Sequence, residues 1–231
     1  MTLKLGVPSK GRLMDKTFAW FQNRGVTLSR VGNDREYAGH VNGVTGVELV
    51  LVAAAEIPRE LAAGRLHLGV TGIDMVREKL AFWENRVAET ELLGFGEADL
   101  IIAVPDFWAD VTTLDDLDQA ATAFRATHGH RLRIATKYHR LIREFLRENG
   151  VSDYQLVDSQ GATEGTVKNL TSEAIADITS TGATLTANHL RILEDGLVLS
   201  SQAVLYKTRA EVWDDGTRAV WDALRARLGL S

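Results

Sequence analysis

Short apolar runs alternate with amphipathic segments along most of this chain. The predicted strands are Leu3–Val7, Val47–Ala54, Leu66–Val70, Leu100–Val104, Leu132–Thr136, Tyr154–Val157, Ala174–Thr179 and Leu197–Tyr206. The predicted helices are Leu13–Asn23, Glu56–Ala63, Ile73–Leu80, Leu114–Thr127, His139–Asn149 and Leu185–Leu193. Continuous apolar strands that alternate with amphipathic helices are typical of parallel sheets covered on both faces, so the pattern predicts an α/β fold.

Two segments depart from this alternation. Val31–Gly46 is rich in glycine and polar residues, which predicts a hairpin or a mobile loop. Val212–Leu228 carries apolar residues at helical spacing, which predicts a terminal helix packed on the core, with a subunit contact as the alternative.

The chain contains two candidate domain boundaries. Gly94–Ala98, which reads GFGEA, precedes a strongly apolar strand, and a return crossing is predicted near Thr181–Thr186. One domain would comprise residues 1–95 and 182–231, and the other residues 96–181. Because an inserted domain is joined by two chain crossings, this organisation allows hinge closure over a ligand.

Composition excludes several classes of protein. With 45% apolar and 25% charged residues the chain is typical of a globular protein, and its net charge of −5 argues against a general nucleic-acid surface. No cysteine is present, which excludes disulfides, a thiolate nucleophile and a cysteine zinc site, and the six histidines lack metal-ligand spacing. We therefore predict no metal-ligating residue. No apolar run is long enough to span a membrane and no signal-peptide pattern opens the chain, which favours the cytoplasm.

The strongest candidate motif is AIADITSTGATLTANHL, Ala174–Leu190. A strand ends near Asp177, and a loop of small hydroxyl residues around Gly182 leads into helix-forming sequence. Backbone N–H groups and hydroxyls at a helix start favour a phosphate, and an acid at the strand end suits ribose hydroxyls. The alternative is an ordinary strand-to-helix turn with a Ser/Thr cap, and the residues by themselves do not decide between the two.

Other polar residues follow predicted strands. Lys10 and Arg12 come after the first strand, at the edge where open α/β sheets bind ligands, although a solvated loop is the alternative. Thr71, Gly72 and Asp74 begin a helix, and this turn suits a nucleotide unless Asp74 is only an N-cap. Lys137 and Arg140 either approach phosphates or flank a helix start.

Five blocks of the sequence resemble one enzyme family in order and at compatible spacing. They are GVPSKGRL (Gly6–Leu13), LHLGVTGIDMV (Leu66–Val76), LIIAVP (Leu100–Pro105), RIATKYHRLIREFLRENGV (Arg133–Val151) and the loop after Asp177. The family is ATP phosphoribosyltransferase, which opens histidine biosynthesis. The resemblance implies two α/β domains with a hinge, related to type II periplasmic binding proteins.

The resemblance also implies an activity and its residues. Phosphoribosyl pyrophosphate and ATP would be the substrates, with Mg²⁺ carried by the substrate rather than by a protein site. Lys10 and Arg35 would be catalytic. The donor-binding residues would be Glu164, Asp177, Thr179, Ser180, Thr181, Gly182, Ala183 and Thr184, and the ATP-binding residues would be Arg12, Thr71, Gly72 and Asp74. The length of 231 residues matches the short form of the family, whose partner is a regulatory subunit resembling histidyl-tRNA synthetase.

The chain departs from the family pattern at two places. Ala53 follows LVLV where an arginine that helps to hold pyrophosphate is common, so Arg59 or Arg35 would have to compensate. Leu170 stands where the family has a glycine. Two alternatives remain. One is a phosphoribosyltransferase of the other common fold, which is disfavoured because Ala176 rather than an acid precedes Asp177. The other is a non-catalytic bilobed small-molecule binding protein.

Overall fold

The computed structural model describes residues 2–30, 38–159 and 161–230. These form two compact units, one of residues 1–96 and 202–231 and the other of residues 97–201. The first crossing falls within the predicted Gly94–Ala98 segment, but the return crossing lies at Ser201 and Gln202, not near Thr181–Thr186. The reason is that the chain after Thr186 first adds a long strand to the sheet of the second unit before it leaves that unit.

The first unit is built on a seven-stranded mixed sheet. Its strands are β1 (Leu3–Pro8), β2 (Thr27–Arg30), β3 (Ala38–Asn42), β4 (Val47–Val52), β5 (Leu68–Gly72), β6 (Val87–Leu92) and β12 (Ala203–Thr208), in the order β2-β3-β4-β1-β5-β12-β6. β1 pairs in parallel with β4 and β5, so these three strands end at one edge of the sheet. β3 pairs antiparallel with β2 and β4, which confirms the hairpin interpretation for the described part of Val31–Gly46.

Helices cover both faces of this sheet. They are α1 (Gly11–Gln22), α2 (Ile57–Ala62), α3 (Ile73–Lys79) and α8 (Asp215–Leu228), with a short 3-10 turn at Trp83–Asn85. One apolar cluster joins α1 and α8 to β1 and β4, and a second joins α2 and α3 to β12. Trp221, Leu224 and Leu228 of α8 are buried, so the terminal helix packs on the core as predicted.

The second unit has a five-stranded sheet. Its strands are β7 (Ala98–Pro105), β8 (Leu132–Thr136), β9 (Tyr154–Asp158), β10 (Ala174–Thr179) and β11 (Leu190–Ser201), in the order β11-β7-β10-β8-β9. β8 lies between β9 and β10 and is parallel to both. The carboxyl ends of these three strands therefore meet at one edge, where parallel sheets present loops to ligands.

The helices of the second unit are α4 (Leu114–His128), α5 (His139–Glu148), α6 (Gly165–Lys168) and α7 (Ala183–Ala187). α4 begins with a capping box in which the Thr113 hydroxyl accepts from the Asp116 N–H, and Gly129 ends it with φ of +74°. Ile101, Ala103, Ala135 and Ile175 belong to an apolar cluster beneath α7. The α/β class predicted from the alternation is confirmed in both units.

Two predicted elements are wrong at the return crossing. The segment Leu185–Leu193 is not one helix, because α7 ends at Ala187 and β11 begins at Leu190, where Leu190 and Ile192 pair with β7. The predicted strand Leu197–Tyr206 is divided at Gln202 between β11 and β12, which belong to different sheets. Apolar periodicity does not reveal such a change of partner.

Candidate active site

The loop after β10 is held in one conformation by its own hydroxyl groups. The Thr179 Oγ1 accepts from the Gly182 N–H at 3.0 Å, and the Thr181 Oγ1 accepts from the Ala183 N–H at 3.3 Å. The Ser180 hydroxyl donates to the Glu97 carbonyl at 3.1 Å, which ties the loop to the start of β7. Gly182 has φ of +71°, a conformation that is strained for other residues. Contacts within the second unit therefore stabilise this loop conformation.

This loop keeps donors for an anion. Ser180, Thr181, Ala183 and Thr184 are exposed. A threonine hydroxyl that accepts a hydrogen bond retains its proton, so Thr179 and Thr181 can each still donate to a phosphate oxygen. Because α7 has only five residues, its dipole adds little, and the hydroxyl and amide donors of the loop provide the anion-binding character.

Asp177 lies two residues before the end of β10. Its side chain is 17% exposed, its Oδ1 accepts from the Ile178 N–H at 2.8 Å, and its Oδ2 lies 3.9 Å from the Lys137 Nζ. A carboxylate has about four acceptor positions, so these two contacts leave capacity for the two hydroxyls of a vicinal diol.

Glu164 follows the loop after β9, at the same edge of the sheet. It is half-buried and is the N-cap residue of α6. Before it, the hydroxyls of Ser159 and Thr163 lie 2.6 Å apart and both residues are buried, which fixes the described end of this loop. Asp177, Glu164 and the Thr179–Thr184 loop thus lie at or just beyond the carboxyl ends of two of the three parallel strands.

Lys137 has two possible interpretations from the sequence, and the structure favours one. Its Nζ donates to the Gly161 carbonyl at 2.9 Å and lies beside Asp177, so it approaches the site rather than merely preceding α5. The sequence does contain one signal for this role, because Lys137 directly follows the apolar strand β8. Its partners are not visible in the sequence because they come from the ends of two other strands.

The first unit presents a second group of candidates at the carboxyl ends of β1 and β5. Lys10 is the N-cap of α1, and it and Arg12 are exposed. Gly72 is the N-cap of α3, which means that Asp74 lies in the first turn and is not the N-cap. Thr71 is fully buried and its hydroxyl donates to the Ala54 carbonyl at 2.9 Å.

Thr71 and Asp74, which the sequence predicts as ATP-binding residues, are both buried. Thr71 braces the turn against the segment after β4, and Asp74 is only 5% exposed.

The predicted catalytic residue Arg35 lies outside the described residues. Within the residues that the structure describes, no group of three or more histidine or acidic side chains could hold a metal ion, and none of the helices there has the length and apolar character needed to cross a membrane.

Comparison with known proteins decides the family. The family model described as HisG, ATP phosphoribosyltransferase, matches residues 53–228. An ATP phosphoribosyltransferase of Cereibacter sphaeroides is 71% identical over 230 residues, a match that spans 100% of this chain and 97% of the relative. The chain belongs to the ATP phosphoribosyltransferase family.

Solved structures show the fold of this ATP phosphoribosyltransferase family member. A chain of the ATP phosphoribosyl transferase (HisG:HisZ) complex from Thermotoga maritima matches with a TM-score of 0.75 at 21% identity, covering 99% of this chain and 96% of that one. A histidine kinase sensor domain with similarity to periplasmic binding proteins matches with a TM-score of 0.53 at 12% identity, covering 99% of this chain and 89% of that one. The predicted relation to periplasmic-binding-protein architecture is confirmed at the level of fold.

Ala53 lies in the wall of a depression of about 950 Å³, where the ATP phosphoribosyltransferase family commonly has an arginine. Lys10 and Arg30 line the same depression, with Arg30 Nη2 3.3 Å from the Met14 sulfur. Arg59, which the sequence offered as a compensating charge, lies exposed on α2 and is not part of this wall. Among these arginines, Arg30 shares the wall with Ala53 and Arg59 does not.

Leu170, the other departure from the ATP phosphoribosyltransferase pattern, retains a backbone suited to glycine. Its φ is +56° and its side chain is 80% exposed. Its N–H donates to the Val167 carbonyl at 3.0 Å and its carbonyl accepts from Arg133 Nη2 at 3.1 Å, so the conformation is held by backbone contacts. A left-handed backbone costs a non-glycine residue about 1–2 kcal/mol.

Replacing Leu170 with glycine should therefore stabilise the second unit. The relief of strain exceeds the added entropy of the unfolded glycine by about 0.5–1 kcal/mol, since little apolar surface is lost. Urea unfolding monitored by circular dichroism measures the change. Leu197→Gly, at a half-exposed leucine within β11, is the control and should lower the free energy of unfolding. A destabilised Leu170→Gly variant would contradict the expectation.

Proposed function

We propose that this chain is the catalytic subunit of ATP phosphoribosyltransferase. It transfers the phosphoribosyl group of phosphoribosyl pyrophosphate to N1 of the adenine of ATP, releases pyrophosphate and so performs the first step of histidine biosynthesis. The observation that carries the proposal is the hydrogen-bonded hydroxyl loop after β10 with Asp177 beside it, in a chain of this family.

The donor binds the second unit. The Thr179–Thr184 loop donates hydroxyl and amide hydrogens to the 5′-phosphate, while Asp177 and Glu164 accept from the ribose hydroxyls. These contacts hold the ribose so that its anomeric carbon faces the attacking nitrogen, and such positioning supplies a large part of the rate in reactions of this kind.

The first unit contributes cations and a nucleotide-binding turn. Lys10 and Arg35 stabilise the negative charge that grows on the departing diphosphate, which is the largest charge change in the step. Arg12 and the Gly72 backbone at the start of α3 bind ATP. The anomeric carbon acquires oxocarbenium character, so no nucleophilic side chain is needed.

The donor would carry Mg²⁺ on its diphosphate. The ion would be held mainly by substrate oxygens and water, because Mg²⁺ usually keeps several waters and takes only one or two protein carboxylates. When bound, the ion neutralises diphosphate oxygens.

A regulatory partner is part of the proposal. The similar chain from Thermotoga maritima comes from a HisG:HisZ complex, which supports a partner of this kind. We infer a hetero-oligomer with a subunit resembling histidyl-tRNA synthetase.

The activity is tested directly. The purified chain is incubated with ATP, phosphoribosyl pyrophosphate, Mg²⁺ and a pyrophosphatase, with and without the proposed partner, and mass spectrometry follows the product. We expect phosphoribosyl-ATP in at least one condition. Folded protein that forms no product in either condition would refute the proposal. Calorimetric binding of an amino acid or sugar, with no binding of the phosphoribosyl donor, would instead favour the bilobed binding protein.

A further inference from the structure

The ammonium group of Lys137 joins two loops of the candidate donor site. Lys137 is the first residue after β8, the middle strand of the three parallel strands. Its Nζ donates to the Gly161 carbonyl at 2.9 Å, beyond β9, and lies 3.9 Å from Asp177 Oδ2 on β10. One side chain thus contacts a group beyond the end of β9 and a group near the end of β10.

The backbone around Lys137 is anchored on both sides. Thr136 is fully buried and its Oγ1 accepts from the Tyr138 N–H at 2.9 Å, and Tyr138 is buried in turn. Lys137, between these two anchors, is 47% exposed. The anchored backbone therefore fixes the position from which the lysine side chain extends.

The contact with Gly161 holds the loop that carries Glu164. Gly161 is exposed and has φ of +101°, whereas Thr163 two residues later is buried against Ser159. The exposed part of the loop is therefore bonded to Lys137, and the buried part is bonded to the Ser159 hydroxyl.

We propose that Lys137 is a positioning residue for the phosphoribosyl donor. It acts through the Gly161–Glu164 segment and through Asp177, and it offsets the charge of Asp177 when a polyphosphorylated sugar approaches that carboxylate. This inference rests on the proposed function, because it takes phosphoribosyl pyrophosphate as the ligand of this edge.

The test compares Lys137→Met, Lys137→Arg and the control Lys168→Met. Lys168 is an exposed lysine on α6 in the same unit, so its loss removes the same charge without these contacts. In the holoenzyme with its partner, Lys137→Met should raise the Kd and the KM for phosphoribosyl pyrophosphate about tenfold, which is about 1.4 kcal/mol. The kcat and the KM for ATP should stay within about twofold, since the residue contacts neither the leaving group nor ATP. Lys137→Arg should restore donor affinity to within about threefold, because guanidinium can keep both contacts.

A second measurement separates positioning from a general charge effect. Amide hydrogen exchange of Gly161–Glu164 should be faster in Lys137→Met than in the wild type and unchanged in Lys168→Met, at equal melting temperatures. Wild-type donor affinity in Lys137→Met, unchanged exchange in that segment, or an equal loss of affinity in Lys168→Met would each overturn the proposal. If the proposed function itself were wrong, the wild-type protein would not bind the donor. That result differs from every outcome that overturns only the role of Lys137.

Discussion

Asp177→Asn is expected to weaken binding of phosphoribosyl pyrophosphate about 100-fold, or about 2.7 kcal/mol. Charge-assisted hydrogen bonds contribute about 1.5–3 kcal/mol, and the carboxylate makes them to the ribose hydroxyls from a site only 17% exposed. An asparagine amide cannot reproduce the local contacts either. Its NH₂ group would face either the Ile178 N–H or the Lys137 ammonium, both of which are donors. Isothermal titration calorimetry with the donor and Mg²⁺ measures the change.

Asp158→Asn is the matched control. Asp158 ends β9 in register with Thr136, so this substitution removes the same charge at the same edge of the sheet. Its side chain is 78% exposed and its Oδ1 lies 2.6 Å from His139 Nε2, an exposed contact of little energy. We expect donor affinity within about threefold of the wild type, since exposed pairs contribute about 0–1 kcal/mol. Wild-type affinity in Asp177→Asn would remove Asp177 from the site, and an equal loss in both variants would indicate a general charge effect.

Lys10→Met is expected to lower kcat about 100-fold while the KM for the donor changes only a few-fold, because the lysine acts on charge that develops in the transition state. Lys10 precedes the 12-residue helix α1 with an extended backbone and no side-chain cap, so its ammonium and the first amides of α1 lie at one helix end. It also lines the depression that contains Ala53 and Arg30. Because position 53 is an alanine here, no arginine at that position adds positive charge to the depression. Steady-state kinetics with both substrates varied measures the effect.

Lys16→Met provides the comparison for Lys10. Lys16 is an exposed lysine of α1 that lies outside the depression, and its loss should leave kcat within about twofold. Arg35→Ala should likewise lower turnover more than binding. If Lys10→Met raised the KM without lowering kcat, its charge would bind substrate and transition state equally, and the catalytic role would be wrong.

The candidate site is only partly predictable from the sequence. Asp177 and the hydroxyl loop can be found because they are consecutive along the chain, at the end of a clearly apolar strand. Lys137 and Gly161 are separated by 24 residues, and only the parallel pairing of β8 with β9 brings them together. The position of Thr71 in its turn is visible in the sequence and suggests a ligand, whereas the direction of its hydroxyl, toward the Ala54 carbonyl, is not visible there.

Sequence alone predicted the resemblance to the family, the α/β class and the central strands, because apolar runs of buried parallel strands and short loop motifs are local properties of the chain. The tertiary structure decided the return crossing at Gln202, the conversion of Leu190–Leu193 from predicted helix to strand, and the network around Lys137. Those features depend on which strand an edge segment pairs with. Pairing energy comes from hydrogen bonds and packing with distant residues, and it outweighs local helix propensity when a sheet edge is available.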